Sequence, residues 1–462
     1  MTTERRTKIV AKVADNRSEV TFLKSLFDAG ADVAWLNTAH QDEEATLGVI
    51  ERIRMVSTRM PIMIDTKGPE VRTKNLLEPI VVKAGDHITF SGDLTFTGHN
   101  VVHVTYANFH NEIPVGESIF YDDASIEMVV QEKLEQGIKC VVKSAGLIKN
   151  KKSLNVPNVH IHLPALSEKD KGFIHFCAKY NVDYIIHSFV RNKKDIFEIK
   201  DILKAYPEYK GKIISKIENR EGFDNTREIL EHSDGLMVAR GDLGAEVPIE
   251  ELPFMQKKMV EASLEMGKYC IVATQVLESM IKNPRPTRAE VTDAANAVLD
   301  GTAGISMSGE TAYGDYPLEA TNMMGRIMKY AELKRDELVH FTASPKVTTP
   351  EYVAAKEIIA KAHAGGAKAI VVLSSNIEIV RALSAYRPAA LVVPVCTSEW
   401  DYRELGLAYA VRPVFAESLD LEHAVDEIEG TLVKEHDIFA LVTVGKNGEY
   451  VTAVGTLKQI RG

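Results

Sequence analysis

Short runs of Val, Ile, Met and Ala alternate along the chain with longer stretches whose apolar residues return every three or four positions. Runs that are apolar throughout suit strands buried on both faces of a parallel sheet. The longer stretches suit helices that bury one face. The pattern predicts strands at Lys8–Ala14, Val33–Asn37, Ile62–Thr66, Tyr184–Phe189, Ile213–Ile217, Gly235–Arg240, Cys270–Gln275 and Gly304–Ser308. It predicts helices at Ser18–Ala29, Glu43–Val56, Glu168–Tyr180, Glu250–Met266 and Arg288–Leu299. Eight strand–helix units make an α/β chain of the (β/α)8 TIM-barrel class.

The third unit is interrupted between Thr66 and about Ser167. There Ile80–Val82, His87–Phe90, Val101–Val104 and Ile126–Val130 carry strand-like residues separated by Gly and Asp. This predicts a small inserted β-barrel, a lid grown from one loop at the C-terminal face of the main barrel, where active sites are built. A further boundary falls near Ala343–Pro350. Beyond it come a helix at Tyr352–Ala364, a strand at Ala369–Leu373, a helix at Ile377–Tyr386 and a strand at Ala390–Val395. A helix at Glu399–Leu405 and strands near Ala440–Val444 and Tyr450–Val454 complete an open α/β domain. The expected division is 1–70 with 167–342 for the barrel, 71–166 for the lid and 343–462 for the C-terminal domain.

Composition narrows the classes. The chain has 462 residues, 45 % of them apolar and 26 % charged, which excludes disordered and disulfide-scaffold chains. The net charge of −10, without a basic block, argues against a nucleic-acid partner. No apolar run is long enough to span a bilayer, so no membrane role is expected. The first residues enter a strand with no signal-peptide core, and Cys140, Cys177, Cys270 and Cys396 are scattered in apolar runs. These features predict a cytoplasmic location with reduced thiols.

The candidate chemistry gathers at the predicted strand ends. They read Asn37; Asp65 and Thr66; Ser188 and Arg191; Lys216 and Glu218; Arg240 and Asp242; Thr274; Ser308 and Glu310. Polar residues in those places point into a barrel's active site. Glu218 and Asp242 are oxygen donors on adjacent strand ends, and two carboxylates with waters and substrate oxygens make a Mg²⁺ site. Ion pairs of these acids with Lys216 and Arg240 are the alternative. Lys216, two residues before Glu218, can stabilise a developing enolate or phosphoryl charge. The segment from Asp65 to Arg72 packs two acids with Lys67 and Arg72 around a Gly-Pro turn where the insertion begins. It is either part of the site or a solvated hinge. His160 and His162 alternate on one strand but have no acidic or thiol neighbour nearby, so a surface or core role is expected for them. No Walker A or Rossmann glycine fingerprint occurs.

Several segments together resemble one family. They are Ile213–Asn219 (IISKIEN), Met237–Gly244 (MVARGDLG), Ala273–Gln275 (ATQ), Asn283–Glu290 (NPRPTRAE), Asp300–Thr302 (DGT) and Ser308–Thr311 (SGET), together with the DTKGPE turn at Asp65–Glu70. They closely resemble pyruvate kinase, over essentially the whole chain. The resemblance implies phosphoryl transfer from phosphoenolpyruvate to ADP, with Mg²⁺ (or Mn²⁺) and K⁺ as cofactors and a homotetramer as the assembly. It implies Lys216, Thr274 and Arg72 as catalytic residues. Gly241, Asp242, Ser188 and Arg191, with Thr274, form the substrate pocket, and Lys152, His40 and Asn37 lie on the nucleotide side. Glu218 and Asp242 would hold Mg²⁺, and Asn37, Asp65 and Thr66 would hold K⁺. Glu70 matches the acid associated with K⁺ dependence.

The chain departs from that family in three places. At Trp35-Leu36-Asn37-Thr38-Ala39-His40, Trp35 replaces an arginine on the nucleotide-phosphate side and Ala39 replaces a serine of the K⁺ site. A tryptophan cannot supply a charged fork to phosphate. At Ala14-Asp15-Asn16-Arg17 the usual Gly-Pro-Ala-Ser turn is missing, and Arg17 is the candidate to replace the lost charge. In the C-terminal domain, Leu373–Ile379 lacks the family's Ser/Thr-rich phosphate turn and brings Glu378 in its place, and the loop Gly445–Glu449 also lacks the expected pattern. That predicts no activation by fructose 1,6-bisphosphate. Besides an active kinase, two readings stay open: a Mg²⁺-dependent enolpyruvate or oxaloacetate lyase, and a non-catalytic metabolite-binding paralogue.

Overall fold

The structure is a computed structural model. It describes residues 4–38, 41–122, 124–157, 159, 161–338, 344–419, 436–445, 447–456 and 458–459. Eight parallel strands close a barrel: β1 (Lys8–Val13), β2 (Val33–Asn37), β3 (Ile62–Asp65), β4 (Tyr184–His187), β5 (Lys212–Ile217), β6 (Gly235–Ala239), β7 (Tyr269–Ala273) and β8 (Gly304–Met307). Each predicted strand is present, its ends moved by a residue or two. Alternation divides every strand between two cores. Val10, Trp35, Met63, Ile186, Ile214 and Met237 fill the barrel, while Ile9, Leu36, Ile64, Ile217 and Val238 pack against the surrounding helices.

Helix starts follow local capping chemistry. Asp42 accepts the Ala45 N–H ahead of helix Glu43–Val56, and Ser167 with Asp170 and Thr287 with Glu290 form reciprocal capping boxes. Helices beyond those predicted include Lys193–Leu203, Thr226–His232 and the 22-residue Pro317–Leu338. The Arg240–Glu246 segment that follows β6 is a short helix.

The insertion carries a seven-stranded sheet whose outer strands are Thr73–Lys74 and Leu154–Asn155. Those outer strands meet. Arg72 bridges Ser153, and hydrogen bonds of 2.8 Å run from Thr73 N to Lys152 O and from Leu154 N to Val71 O. The sheet therefore closes on itself around its own core, which includes Phe90, Tyr121 and Met128. Pairing around the ring leaves the lid without a free edge there.

The C-terminal domain is a five-stranded sheet in the order Val414–Phe415, Leu391–Cys396, Ala369–Leu373, Phe439–Val444, Tyr450–Gly455, antiparallel only at its last pair. It docks on the N-terminal mouth of the barrel. Leu407 inserts into the barrel's inner core, Tyr184 Oη donates to Glu404 O at 2.5 Å, and Arg403 pairs with Asp183 at 2.7 Å. Fully buried Lys8 donates to Val411 O at 2.6 Å. One mouth of the barrel is thus sealed, and the other lies beneath the lid. Among the described residues no helix is long and apolar enough to cross a membrane.

Candidate active site

At the open mouth, the ends of β3, β4 and β5 bring one cluster together. The Lys216 ammonium lies 2.9 Å from Glu218 Oε1, 3.3 Å from Asp65 Oδ2 and 3.3 Å from Ser188 Oγ. Ser188 Oγ donates to Asp65 Oδ1 and to Thr66 O, both at 2.7 Å. Thr66 Oγ1 accepts the Ser188 N–H at 3.0 Å, and the Phe189 N–H donates to Glu218 Oε2 at 2.6 Å. Asp65, Thr66, Ser188 and Glu218 are all buried. Burial disfavours the Lys216 charge, yet Asp65, Glu218 and Asp242 outweigh it and hold its pKa above the usual lysine value. Burial, with repulsion from Asp242 and Asp65, pushes Glu218 up to about 8 against the pull of Lys216. Asp65 is likewise raised, chiefly by burial.

The neighbouring strand ends add backbone chemistry. Helix Arg240–Glu246 starts directly after β6, so the amides of Gly241 and Asp242 lie in its first turn, where N–H groups have no partner within the helix. A Cβ on Gly241 would stand 2.9 Å from Thr274 Cγ2, so only glycine lets Thr274 come this close. Thr274 and Gln275 both hold left-handed backbone, with φ of 72° and 55°. Two consecutive non-glycine residues in that region mark a strained strand end, a usual property of sites that position ligands. Arg240 fixes this strain from behind, donating to Thr274 O at 2.6 Å and pairing with Asp293 at 2.7 Å. Of the two ion pairs weighed for the acids, Lys216–Glu218 is present, whereas Arg240 turns away from Asp242.

Other candidates surround the cluster without touching it. Arg72 forks onto Glu70, with both bonds at 2.9 Å, and reaches Lys151 O at 2.8 Å. Arg191 forks onto Asp195 at 3.1 Å and donates to Leu163 O at 2.9 Å, which ties the returning lid strand to the barrel. Lys152, on the lid, pairs with Asp122 at 2.9 Å. A cleft of about 470 Å³ between lid and barrel is lined by Glu70, Ser153, Asn155, Phe189, Arg191, Asn219 and Glu246. It borders the Lys216 cluster on the hinge side. Across it Asn155 Nδ2 donates to Glu246 Oε1 at 2.9 Å, and burial raises Glu246 to about 7.

Register places Asn37 beside Asp65 at the ends of β2 and β3. Ala39, His40 and His160 lie outside the described residues. His162 stands 3.6 Å from Glu112 on the lid. All four cysteines are free and buried. Arg17 donates to Gly314 O at 2.5 Å and lies over the Phe22 ring, so it does not fill the place left by Trp35. Two residues escaped the sequence reading. Asp170 receives the Lys67 N–H at 2.7 Å across the hinge, and Lys12 stands over Trp35.

Comparison with known proteins gives concordant matches. The family described as "Pyruvate kinase, barrel domain" matches residues 4–321. A pyruvate kinase of Borreliella burgdorferi is 46 % identical over 411 residues, 88 % of this chain and 85 % of that one. A pyruvate kinase of Staphylococcus aureus is 40 % identical over 422 residues, covering 89 % and 72 %. The crystal structure of a pyruvate kinase from Cryptosporidium parvum superposes with a TM-score of 0.90 at 33 % identity, covering 98 % of this chain and 96 % of that one.

Proposed function

The chain belongs to the pyruvate kinase family, and on that premise we propose how its own residues perform the reaction. It is a phosphotransferase that moves the phosphoryl group of phosphoenolpyruvate to ADP, giving pyruvate and ATP. The lyase and non-catalytic readings are not favoured. The division proposed for the chain is 1–70 with 167–342, 71–166 and 343–462.

The observation that carries the assignment is the Lys216–Glu218–Asp65 cluster at the open mouth, with Asp242 facing Glu218. Glu218 and Asp242 repel one another, and a hard divalent cation is what two such carboxylates accept. They fit Mg²⁺, or Mn²⁺, with water and substrate oxygens completing the shell. Asn37, Asp65 and Thr66 offer oxygen donors that fit K⁺, although Ala39 brings no hydroxyl. The metal ions, when bound, neutralise the phosphoryl oxygens and the enolate.

The protein's own part runs as follows. The first amides of helix Arg240–Glu246, at Gly241 and Asp242, hold the substrate carboxylate. Ser188 fixes Asp65, and Asp65 with Glu218 fixes the Lys216 ammonium. Arg191 holds that wall of the pocket, and Arg72 meets the substrate phosphate from the hinge. The ester P–O bond of phosphoenolpyruvate breaks as a bond forms to a terminal oxygen of ADP, with Lys152, Asn37 and His40 on the nucleotide side. Lys216 meets the negative charge left on the enolate oxygen. Thr274 stands where a proton reaches the enolate carbon, and protonation there completes pyruvate. We further propose a cytoplasmic homotetramer acting on small anions, with no nucleic-acid or membrane partner.

A coupled assay tests the reading. Pyruvate formed from phosphoenolpyruvate only when ADP and Mg²⁺ are present, and stimulated by K⁺, supports it. Pyruvate formation that ignores ADP, or turnover of oxaloacetate alone, overturns it.

A further inference from the structure

Lys12 occupies a place that the proposed mechanism does not use. It faces into the barrel from β1, one rung above Val10, and is the register partner of Trp35 on β2. Its Nζ lies 5.0 Å from the centre of the Trp35 ring. Trp35 is only 6 % exposed, and its indole N–H has no hydrogen-bond partner among the described residues. The indole therefore serves Lys12 as a platform and offers it a π face.

The ammonium itself has no ion pair or hydrogen bond among the described residues. The charged groups facing it are Asp65 and Lys216. Both oxygens of Asp65 are already engaged, one with Ser188 and the other with Lys216. Burial lowers the Lys12 pKa, and Lys216 lowers it further against the pull of Asp65. A half-buried ammonium whose three donors have no hydrogen-bond partner among the described residues is costly to desolvate and is favoured by an anion beside it. Lys12 and Lys216 approach the same mouth from different strands, so an anion there meets two ammonium groups. Arg17, the other nearby cation, is held by Gly314 O and lies elsewhere.

We propose that Lys12, seated on Trp35, binds the phosphate of the phosphoryl donor together with Lys216. The inference rests on the reading of the open barrel mouth as the phosphoenolpyruvate site.

The test compares Lys12→Met and Lys12→Arg with the unmodified enzyme at saturating Mg²⁺, in steady-state kinetics and in equilibrium titration with phosphoenolpyruvate. Lys12→Met is expected to raise KM for phosphoenolpyruvate about tenfold or more while changing KM for ADP less than about twofold, and Lys12→Arg to retain most of the affinity. Thermal unfolding of each variant reports whether it folds; should Lys12→Met fail to fold, Lys12→Gln carries the same comparison. An unchanged KM and binding constant for phosphoenolpyruvate in the charge-removed variant overturns the proposal. So does an unchanged KM accompanied by a new requirement for K⁺, which would make Lys12 a stand-in for the monovalent cation. An unmodified enzyme that neither binds nor turns over phosphoenolpyruvate would instead remove the reading of the site beneath it.

Discussion

At the scale of single residues, the site is organised by one cation among three acids. Removing Lys216 leaves Asp65 and Glu218 buried with their counter-charge gone, a change worth about 3–5 kcal/mol. Lys216→Met is therefore expected to unfold at lower denaturant and to lose roughly 10²–10⁴-fold in kcat in the coupled assay. A variant that keeps more than a tenth of kcat contradicts the role given to Lys216. Glu218 makes a prediction about metal. Burial pushes its folded pKa up to about 8, above the ordinary glutamate value of 4.5, so the metal-free fold gains from its protonation. That contribution is complete below about 4.5 and is lost as pH climbs through about 8. Metal needs the carboxylate, so Mg²⁺ affinity should weaken as pH falls, and binding should release protons. Titration calorimetry in buffers of different ionisation enthalpy measures this; no proton release contradicts it. The acids and Lys216 were legible because strand ends and motif spacing exposed them. Asp170 and Lys12 were not. Their roles depend on contacts across the hinge and between neighbouring strands, which no local pattern carries.

At the scale of elements, the lid joins the barrel through two connecting segments that share one carboxylate. Gly68 lies in left-handed backbone with φ of 72°, and a Cβ there would meet Ser188 Cβ at 2.8 Å. Asp170, which completes the capping box where the returning segment enters helix Glu168–Lys179, also takes the Lys67 N–H of the departing segment. One buried carboxylate thus clamps both segments. Asp170→Ala should cost about 2–3 kcal/mol and raise the proteolytic sensitivity of the 66–72 and 161–167 segments. Cleavage no faster than in the unmodified protein contradicts the clamp. In the C-terminal domain, Asn376 caps helix Ile377–Ala385 and Glu378 pairs with Arg381 where the family's phosphate turn would be. Fructose 1,6-bisphosphate should leave the half-saturating phosphoenolpyruvate concentration unchanged; a marked fall contradicts this. Long periodic helices and apolar strands were readable along the chain. The helices Lys193–Leu203 and Pro317–Leu338 were not read from that pattern. Short lid strands such as Leu154–Asn155 exist only through the partners that close the ring.

At the scale of the molecule, the barrel is stoppered at one end. Leu407 sits within the inner core, surrounded by anchoring bonds from Lys8, Tyr184 and Asp183. The Pro69-turn insertion and the docking domain therefore serve opposite mouths, one facing the chemistry and one sealing the core. Leu407→Asp should destabilise the barrel and the C-terminal domain together, by more than about 3 kcal/mol, because a charge would enter the apolar interior. Two separate unfolding transitions, with the barrel transition unmoved, would contradict that coupling. The three-part plan was legible from the rhythm of strands and helices; the stopper was not, since sequence separation hides which mouth a distant segment meets. The packing of Trp35 has an optical consequence. The chain has only two tryptophans, Trp35 inside the open mouth and Trp400 beside Tyr209 near the stoppered one. Each end of the barrel thus carries its own fluorophore. In a Trp400→Phe protein, emission comes from the indole under Lys12 alone, and a change in that emission on adding phosphoenolpyruvate reads events at the mouth with no label attached.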